Sequence, residues 1–347
     1  SNSADQRLEN STHPAKIFID VISITKDTKK NFKKAFGWVD LEKHIAAAAG
    51  TGTNDPTAYD LSEARKNLND DDSPTILVRI SDYNSYGLCG PEDDHGDEVT
   101  QALSDSQRKN FQLFAKSTFI TSSEAGRQGS FGLGKGVLYH LSSLKTVLMS
   151  STILGSDGEH QIRTFGRTEL PFHRCDDESW DGPGFFGSAD QDHLGRNRII
   201  SSYDNNHSAL ENLFLDRDPS LGTGTTATSI AFKAKDERHK SNPEDLIAYF
   251  EKAVKKWFWP ALSADKAPIE VTVRNFENKT LLSEKRIKPG LEYEGFINSF
   301  KGNSNATSLV EVGNIVKKDL EWDIPAKKLE FGNNPGFKGK GAVQIQL

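Results

Sequence analysis

Gly126-Arg127-Gln128-Gly129-Ser130-Phe131-Gly132-Leu133-Gly134-Lys135-Gly136 leads without a break into Val137–Leu144, whose apolar residues have helical spacing. Glycine at this density lets backbone N–H groups approach a polyphosphate closely, and the N-terminus of the following helix adds partial positive charge. The stretch reads as an anion-binding loop, with a flexible surface loop as the alternative that composition leaves open. Gly129, Gly134 and Lys135 also have the spacing of the Walker A loop. That reading fails twice: Gly136 stands where a hydroxyl should ligate Mg2+, and the preceding Thr121–Gln128 is no buried strand.

Two weaker signals flank this loop. Upstream, Thr75–Ile80 (TILVRI) has the composition of a strand and runs into Ser81-Asp82-Tyr83-Asn84-Ser85-Tyr86-Gly87-Leu88. A carboxylate at a strand end can accept a hydrogen bond from an exocyclic amine, and Gly87 leaves room for a flat ring against the backbone. Asp and Asn also cap strand ends, so a purely structural turn fits these residues equally well. Downstream, Gly222-Thr223-Gly224-Thr225-Thr226 enters a strand ahead of Ser229–Phe232; alone it is an ordinary turn.

Their order is more specific than any one of them. An acidic strand-end turn, a glycine-rich loop opening a helix, and Gly-Thr before a late strand make the chain resemble the GHKL (Bergerat-fold) ATPases over roughly residues 1–235. That superfamily includes gyrase-type topoisomerases, heat-shock chaperones, histidine kinases and mismatch-repair ATPases. The resemblance implies an α/β (α+β) two-layer sandwich binding ATP with Mg2+. Asp82 would take the adenine amine, in a turn where Asn84 replaces the family's first glycine and one extra residue separates Asp82 from Gly87; Leu88 follows in the same turn. Gly129, Ser130, Phe131, Gly132, Leu133, Gly134, Lys135 and Gly136 would form the lid whose amides and lysine hold the phosphates. Gly224 and Thr225 would be the Gly-Thr motif near adenine and water.

The family's first motif is a helix carrying E-x-x-x-N-x-x-D followed by a strand. Ser1–Asp5 precedes the strand at 16–24 and is similar to the second half of that motif, which makes Asn2 the implied magnesium ligand and Asp5 the carboxylate after it. The water-activating Glu would fall before Ser1; a polar N-terminus without function is the alternative. The chain opens at Ser1 with Met149 as its only methionine, and is read as part of something longer. The implied activity is ATP hydrolysis coupled to lid closure and to conformational change or dimerisation, with a homodimer or a larger complex with further domains or subunits as the implied partners. A nucleotide-gated interaction module that does not hydrolyse is the alternative, followed by phosphotransfer to a His, for which no acceptor helix is seen. The wording DYNSYGLCG, GRQGSFGLGKGVLYHLSSL and FWPAL is also similar to large bacterial GHKL proteins found beside phage-defence genes, which implies antiviral defence.

The remaining sequence sets the organisation. Residues 16–24 alternate as a strand with Ile17, Ile19 and Val21 on one face, and residues 25–49 have helical spacing. Residues 50–74 are polar and turn-rich with a short helical piece near Leu61–Leu68, so 26–74 is expected to be an insertion. A helix is expected over 101–116, strands over 145–154 and 160–168, and a long excursion over 173–198. Asn242, Pro243, Glu244 and Asp245 start a helix. It is expected to end at Pro260, before a hairpin-like pair on either side of 275–279 and a terminal strand. Two domains follow: 1–236 for nucleotide, and a smaller, truncated α+β transducer-like domain at 242–347.

In 347 residues, 43 Lys+Arg against 49 Asp+Glu give a net charge of −6, which disfavours general coating of nucleic acid and leaves only a local patch for it. There is no membrane-spanning run or signal peptide, so the expected location is the cytoplasm. Cys89 and Cys175 stand apart without CxxC spacing. His173, Cys175, Asp176, Asp177 and His193 match no usual ligand spacing and read as a solvated loop. The acidic run Pro91–Glu98 reads as a solvated face and Trp257–Trp259 as core packing.

Overall fold

The alternating run at the start of the chain and the TILVRI segment form β1 (Ala15–Ile24) and β2 (Thr75–Tyr83), antiparallel from Lys16–Tyr83 to Ile24–Thr75. The computed structural model describes residues 7–8, 11–50, 56–92, 109–116, 133–155, 157–181, 183–192, 194–203, 206–233, 242–301, 306–324 and 337–346. Between β1 and β2 lie three helices, α1 (Lys26–Ala35), α2 (Trp38–Ala49) and α3 (Pro56–Asn69). After β2 come a π-helical turn (Gln112–Lys116), α4 (Leu133–Leu141), β3 (Thr146–Leu154) and β4 (His160–Thr168). Short strands follow: β5 (His173–Cys175), β6 (Glu178–Trp180), β7 (Gly184–Phe186), β8 (Ser188–Gln191) and β9 (Asn197–Ile200). Then come α5 (His207–Asn212), β10 (Gly224–Ser229), α6 (Pro243–Ser263), β11 (Ile269–Glu277) and β12 (Thr280–Arg286), and last α7 (Glu294–Lys301), β13 (Ile315–Ile324) and β14 (Phe337–Gln346).

Eight strands form one sheet in the order β12-β11-β1-β2-β10-β3-β4-β7, antiparallel throughout except for β1 against β11. The molecule is thus an α+β sandwich. Alternation along the strands sends Val21, Val78, Met149 and Ala227 to one face, which packs against Phe111 beside the π-helical turn, against Leu138 and Tyr139 of α4, and against Leu246, Ile247 and Phe250 of α6. Ile22, Leu77 and Leu148 point the other way, onto Phe32 of α1, Leu41 and Ile45 of α2, Leu61 and Leu68 of α3 and Leu210 of α5. Helices therefore lie on both faces, where two layers were expected. The physical reason is the 26–74 segment: its apolar residues recur at helical spacing and bury Phe32, Ile45, Leu61 and Leu68 completely.

α3 is longer than the piece expected near Leu61–Leu68, because Ala58 and Ala64 complete its buried stripe. The end of α3 and the turn that follows it are held from α1: the wholly buried Lys29 donates from Nζ to the carbonyls of Asn67 (2.5 Å), Asp70 (2.6 Å) and Ser73 (2.7 Å). The expected excursion at 173–198 is built of small antiparallel pairs, β5 with β6 and β8 with β9, while β7 joins the main sheet. β11 and β12, the hairpin beyond the change of pattern near 241, also belong to that sheet. No helix among the described residues is long and apolar enough to cross a membrane.

The chain divides into two compact units, one within 1–252 and 268–287, the other within 253–267 and 288–347. The first holds the whole eight-stranded sheet. In the second, β13 pairs with β14, and Trp259 stacks on Tyr293, with Phe296 tilted and Phe300 edge-on against it. Core packing thus fits Trp259, whereas Trp257 is 70% exposed. α6 passes through Pro260 to Ser263 instead of stopping before it.

Candidate functional site

Asp82 lies one residue from the end of β2, half-buried on the sheet face that also carries Ser151 and Thr225. Its Oδ1 accepts hydrogen bonds from the Ser85 hydroxyl and the Thr225 amide, each at 2.8 Å. Its Oδ2 accepts none among the described residues. The structure thus brings together the strand-end acid and the Gly-Thr pair, which lie far apart in sequence. Thr223 closes the turn on the same side, donating from Oγ1 to the Ser85 carbonyl at 2.6 Å.

Two glycines let the backbones meet here. Gly87 has φ +71°, and a Cβ there would lie 2.5 Å from Ser151 Oγ and 3.0 Å from the Gly224 carbonyl. A Cβ on Gly224 would lie 2.2 Å from the Asp82 carbonyl oxygen. Ser151 Oγ fills the space between them, donating to the Gly224 carbonyl (2.7 Å) and accepting from the Leu88 amide (2.8 Å). Asn84 has φ +60°, a left-handed conformation that Asn tolerates better than other non-glycine residues. Its Nδ2 donates to the carbonyls of His13 (2.8 Å) and Pro14 (3.1 Å), so the side chain ties the turn to the start of β1. Leu88 is buried and packs with Phe111, Met149 and Ala227.

The segment after the turn is clasped by Arg163, whose side chain is 1% exposed. Nη1 donates to the carbonyls of Leu88 (3.0 Å) and Gly90 (2.6 Å), Nε to Ser201 Oγ (2.8 Å), and Nη2 pairs with Glu92 Oε1 at 2.6 Å. The guanidinium lies 3.6 Å above the Phe111 ring. Burial pushes the Glu92 carboxyl up, but the Ser201 hydrogen bonds and the Arg163 charge outweigh it and hold the group below its ordinary range. Glu92 is therefore a partner of Arg163, not part of a solvated acidic face.

Among the other residues singled out from sequence, Asn2, Asp5, Gly129, Ser130, Phe131 and Gly132 lie outside the described residues. Leu133, Gly134, Lys135 and Gly136 form the first turn of α4, which packs on the sheet face that carries Asp82; a Cβ on Gly136 would meet open space. His173 is buried against α2, with His44 Nδ1 and His173 Nε2 2.9 Å apart and Trp180 edge-on to His44, so it belongs to a packed contact and not to a solvated loop. No group of three or more His, Cys, Asp or Glu among the described residues is placed to hold a metal.

Three contributors had little or no signal in the sequence. Ser151 and Thr152 belong to a run of buried hydroxyls in β3, whose only trace is polarity inside an otherwise apolar strand. Arg217, between two acids in Asp216-Arg217-Asp218, looks like a charged surface turn but is only 8% exposed. In chemical terms, the site offers a carboxylate with one oxygen held by Ser85 and Thr225 and one without a partner among the described residues, while Gly87 and Gly224 serve the close packing of β2, β3 and β10. No family model and no curated protein matches the chain.

Proposed function

We propose that the chain binds a purine nucleotide, ATP with Mg2+, at the end of β2 beside Gly224-Thr225, and that it hydrolyses ATP in a cycle of lid closure. The observation that carries this reading is the half-occupied carboxylate of Asp82. Oδ1 is held by Ser85 and the Thr225 amide, which leaves Oδ2 to accept from an exocyclic amine. The ordered resemblance to the GHKL ATPases supports the same reading, with the Gly129–Gly136 segment over the phosphates, Lys135 contributing charge, and Asn2 and Asp5 at the metal. Mg2+ would offset triphosphate charge and polarise the γ-phosphate.

For this chain's own residues, the proposed work is binding and orientation. Asp82 selects the base, Ser85 and Thr225 keep its carboxylate in place, and the first turn of α4 presents backbone N–H groups to the phosphates. Dimerisation on closure, membership of a larger complex and a role in antiviral defence belong to this proposal through the resemblance alone. A calorimetric titration with ATP, ADP and GTP, with and without Mg2+, tests it. Binding of both adenine nucleotides in preference to GTP, with Mg2+ strengthening ATP most, is the expected result; no binding of any of the three overturns it. Phosphate release in the same samples separates hydrolysis from gated binding.

A further inference from the structure

The backbone ladder between β2 and β10 ends at Ser81–Thr226, although β2 runs on to Tyr83 and β10 begins at Gly224. Beyond that pair, Asp82 and Thr225 are joined on one face through the carboxylate. From the other face a single side chain spans the opening. Arg217 donates from Nη2 to the Asp82 carbonyl (2.7 Å), from Nη1 to Thr226 Oγ1 (2.7 Å) and from Nε to Thr152 Oγ1 (3.1 Å), and its Cζ lies 4.3 Å from the centre of the Tyr83 ring. Tyr83, Thr226 and Thr152 are the chain neighbours of Asp82, Thr225 and Ser151, and successive strand side chains point to opposite faces. One guanidinium therefore grips, from behind, all three strand ends that carry the candidate site.

The placement is energetically awkward unless it is used. A guanidinium stays charged, and this one is buried with hydroxyls, a carbonyl and a ring for partners and no ion pair to a carboxylate among the described residues. Burial lowers its basicity; Tyr83 and Asp82 act against that, and Arg79 adds to it. An apolar side chain of similar length would fill the same space without that desolvation. What it would lack is the planar fork that reaches three strands at once.

We infer that Arg217 is the positioning residue of this site: it fixes the three strand ends so that the free oxygen of Asp82 meets an exocyclic amine, and it thereby sets the discrimination between an amino-purine and an oxo-purine. The inference rests on the nucleotide reading, and Arg217 itself touches no ligand. Wild type, Arg217→Met and Arg217→Lys are compared by two measurements: hydrogen exchange at the Thr225 amide, and the ratio of ATP to GTP affinity. In Arg217→Met the Thr225 amide exchanges roughly tenfold faster or more, while amides of β3 and β4 keep their protection, and the preference for ATP over GTP falls about tenfold. Arg217→Lys, which keeps charge without the fork, falls between. A folded Arg217→Met that keeps Thr225 protected and the ATP to GTP ratio within about twofold overturns the inference, as does a lower melting temperature with an unchanged ratio. If Arg217→Met does not fold, Thr152→Val and Thr226→Val each remove one acceptor and carry the same two measurements. A wild type that binds no nucleotide, with Thr225 deprotected in Arg217→Met, removes the nucleotide and leaves Arg217 as the residue that positions Asp82.

Discussion

Asp82 and Arg217 meet at the same peptide unit and differ completely in how visible they are in the sequence. A carboxylate after a hydrophobic run and before a glycine turn is a local pattern, and the structure adds that Thr225 and Ser85 hold only one of its oxygens. Asn84 is legible in the same way, since its left-handed φ of +60° is one that a glycine would also supply. Arg217 carries no local pattern: its meaning depends on which three strands end around it, and nothing in Asp216-Arg217-Asp218 encodes that. Asp82→Asn is the sharpest test at this scale. The amide keeps an oxygen for Ser85 and Thr225 but turns an N–H₂ toward the proposed amine, setting donor against donor. The fold should be retained and ATP affinity should drop by about 1.5–3 kcal/mol or more, read by calorimetry beside an unchanged melting curve. Unaltered affinity removes Asp82 from the base site.

At the scale of elements, the strands were the legible part, because a period of two survives in single-sequence patterns: β3 and β4 fall within a residue of the expected spans. α3 was understated because alanines at 58 and 64 give little hydrophobic contrast, and its C-terminal support comes from another helix. Lys29 gives that support at an electrostatic cost. Burial, then the nearby Lys33 charge, lowers its pKa from the usual 10.5 to about 8, against the raising influence of Asp70 and Asp71. Between pH 8 and 10.5 the unfolded chain therefore holds the proton more tightly than the folded one, so stability rises with pH across that window. The urea midpoint of wild type should climb between those limits relative to that of Lys29→Met. At pH 7 the methionine variant should lose about 1–3 kcal/mol, because the carbonyls of Asn67, Asp70 and Ser73 lose the Lys29 donor; matching pH profiles for the two proteins would count against the buried ammonium. α4 supplies the other test. Under the proposed function, Lys135→Ala should weaken ATP far more than adenosine in parallel titrations, since the role proposed for its charge is on phosphate. Equal losses for the two ligands would rule that role out.

Across the whole molecule, the sequence pattern changes near 241 but the sheet does not end there. β11 pairs with β1 in parallel from Ala15–Ile269 to Ser23–Glu277, a non-local match that leaves no trace in either strand's own alternation. Two kinds of contact make it integral. Ile269, Val271 and Val273 are at most 4% exposed, and full burial of three such side chains is worth about 5–9 kcal/mol, on the order of the entire stability of a typical domain. Asp20, wholly buried on β1, accepts from Arg274 of β11 (2.7 and 3.0 Å) and from Arg79 of β2 (2.7 Å), so losing the hairpin leaves that carboxylate half-paired. A chain ending at 241 should therefore lose cooperative melting or associate through the bared edge of β1, whereas a chain ending at 287 should melt cooperatively and elute as a folded species. Circular-dichroism melts and size-exclusion profiles of the two pieces decide the matter. If the shorter piece melts within a few degrees of the full chain, β11 and β12 are an appendage, and the nucleotide-proposed part of the molecule stops where the sequence pattern does. If it fails while the longer piece holds, the strand ends around Asp82 depend on residues contributed from beyond 268, and the site is a property of the complete eight-stranded sheet.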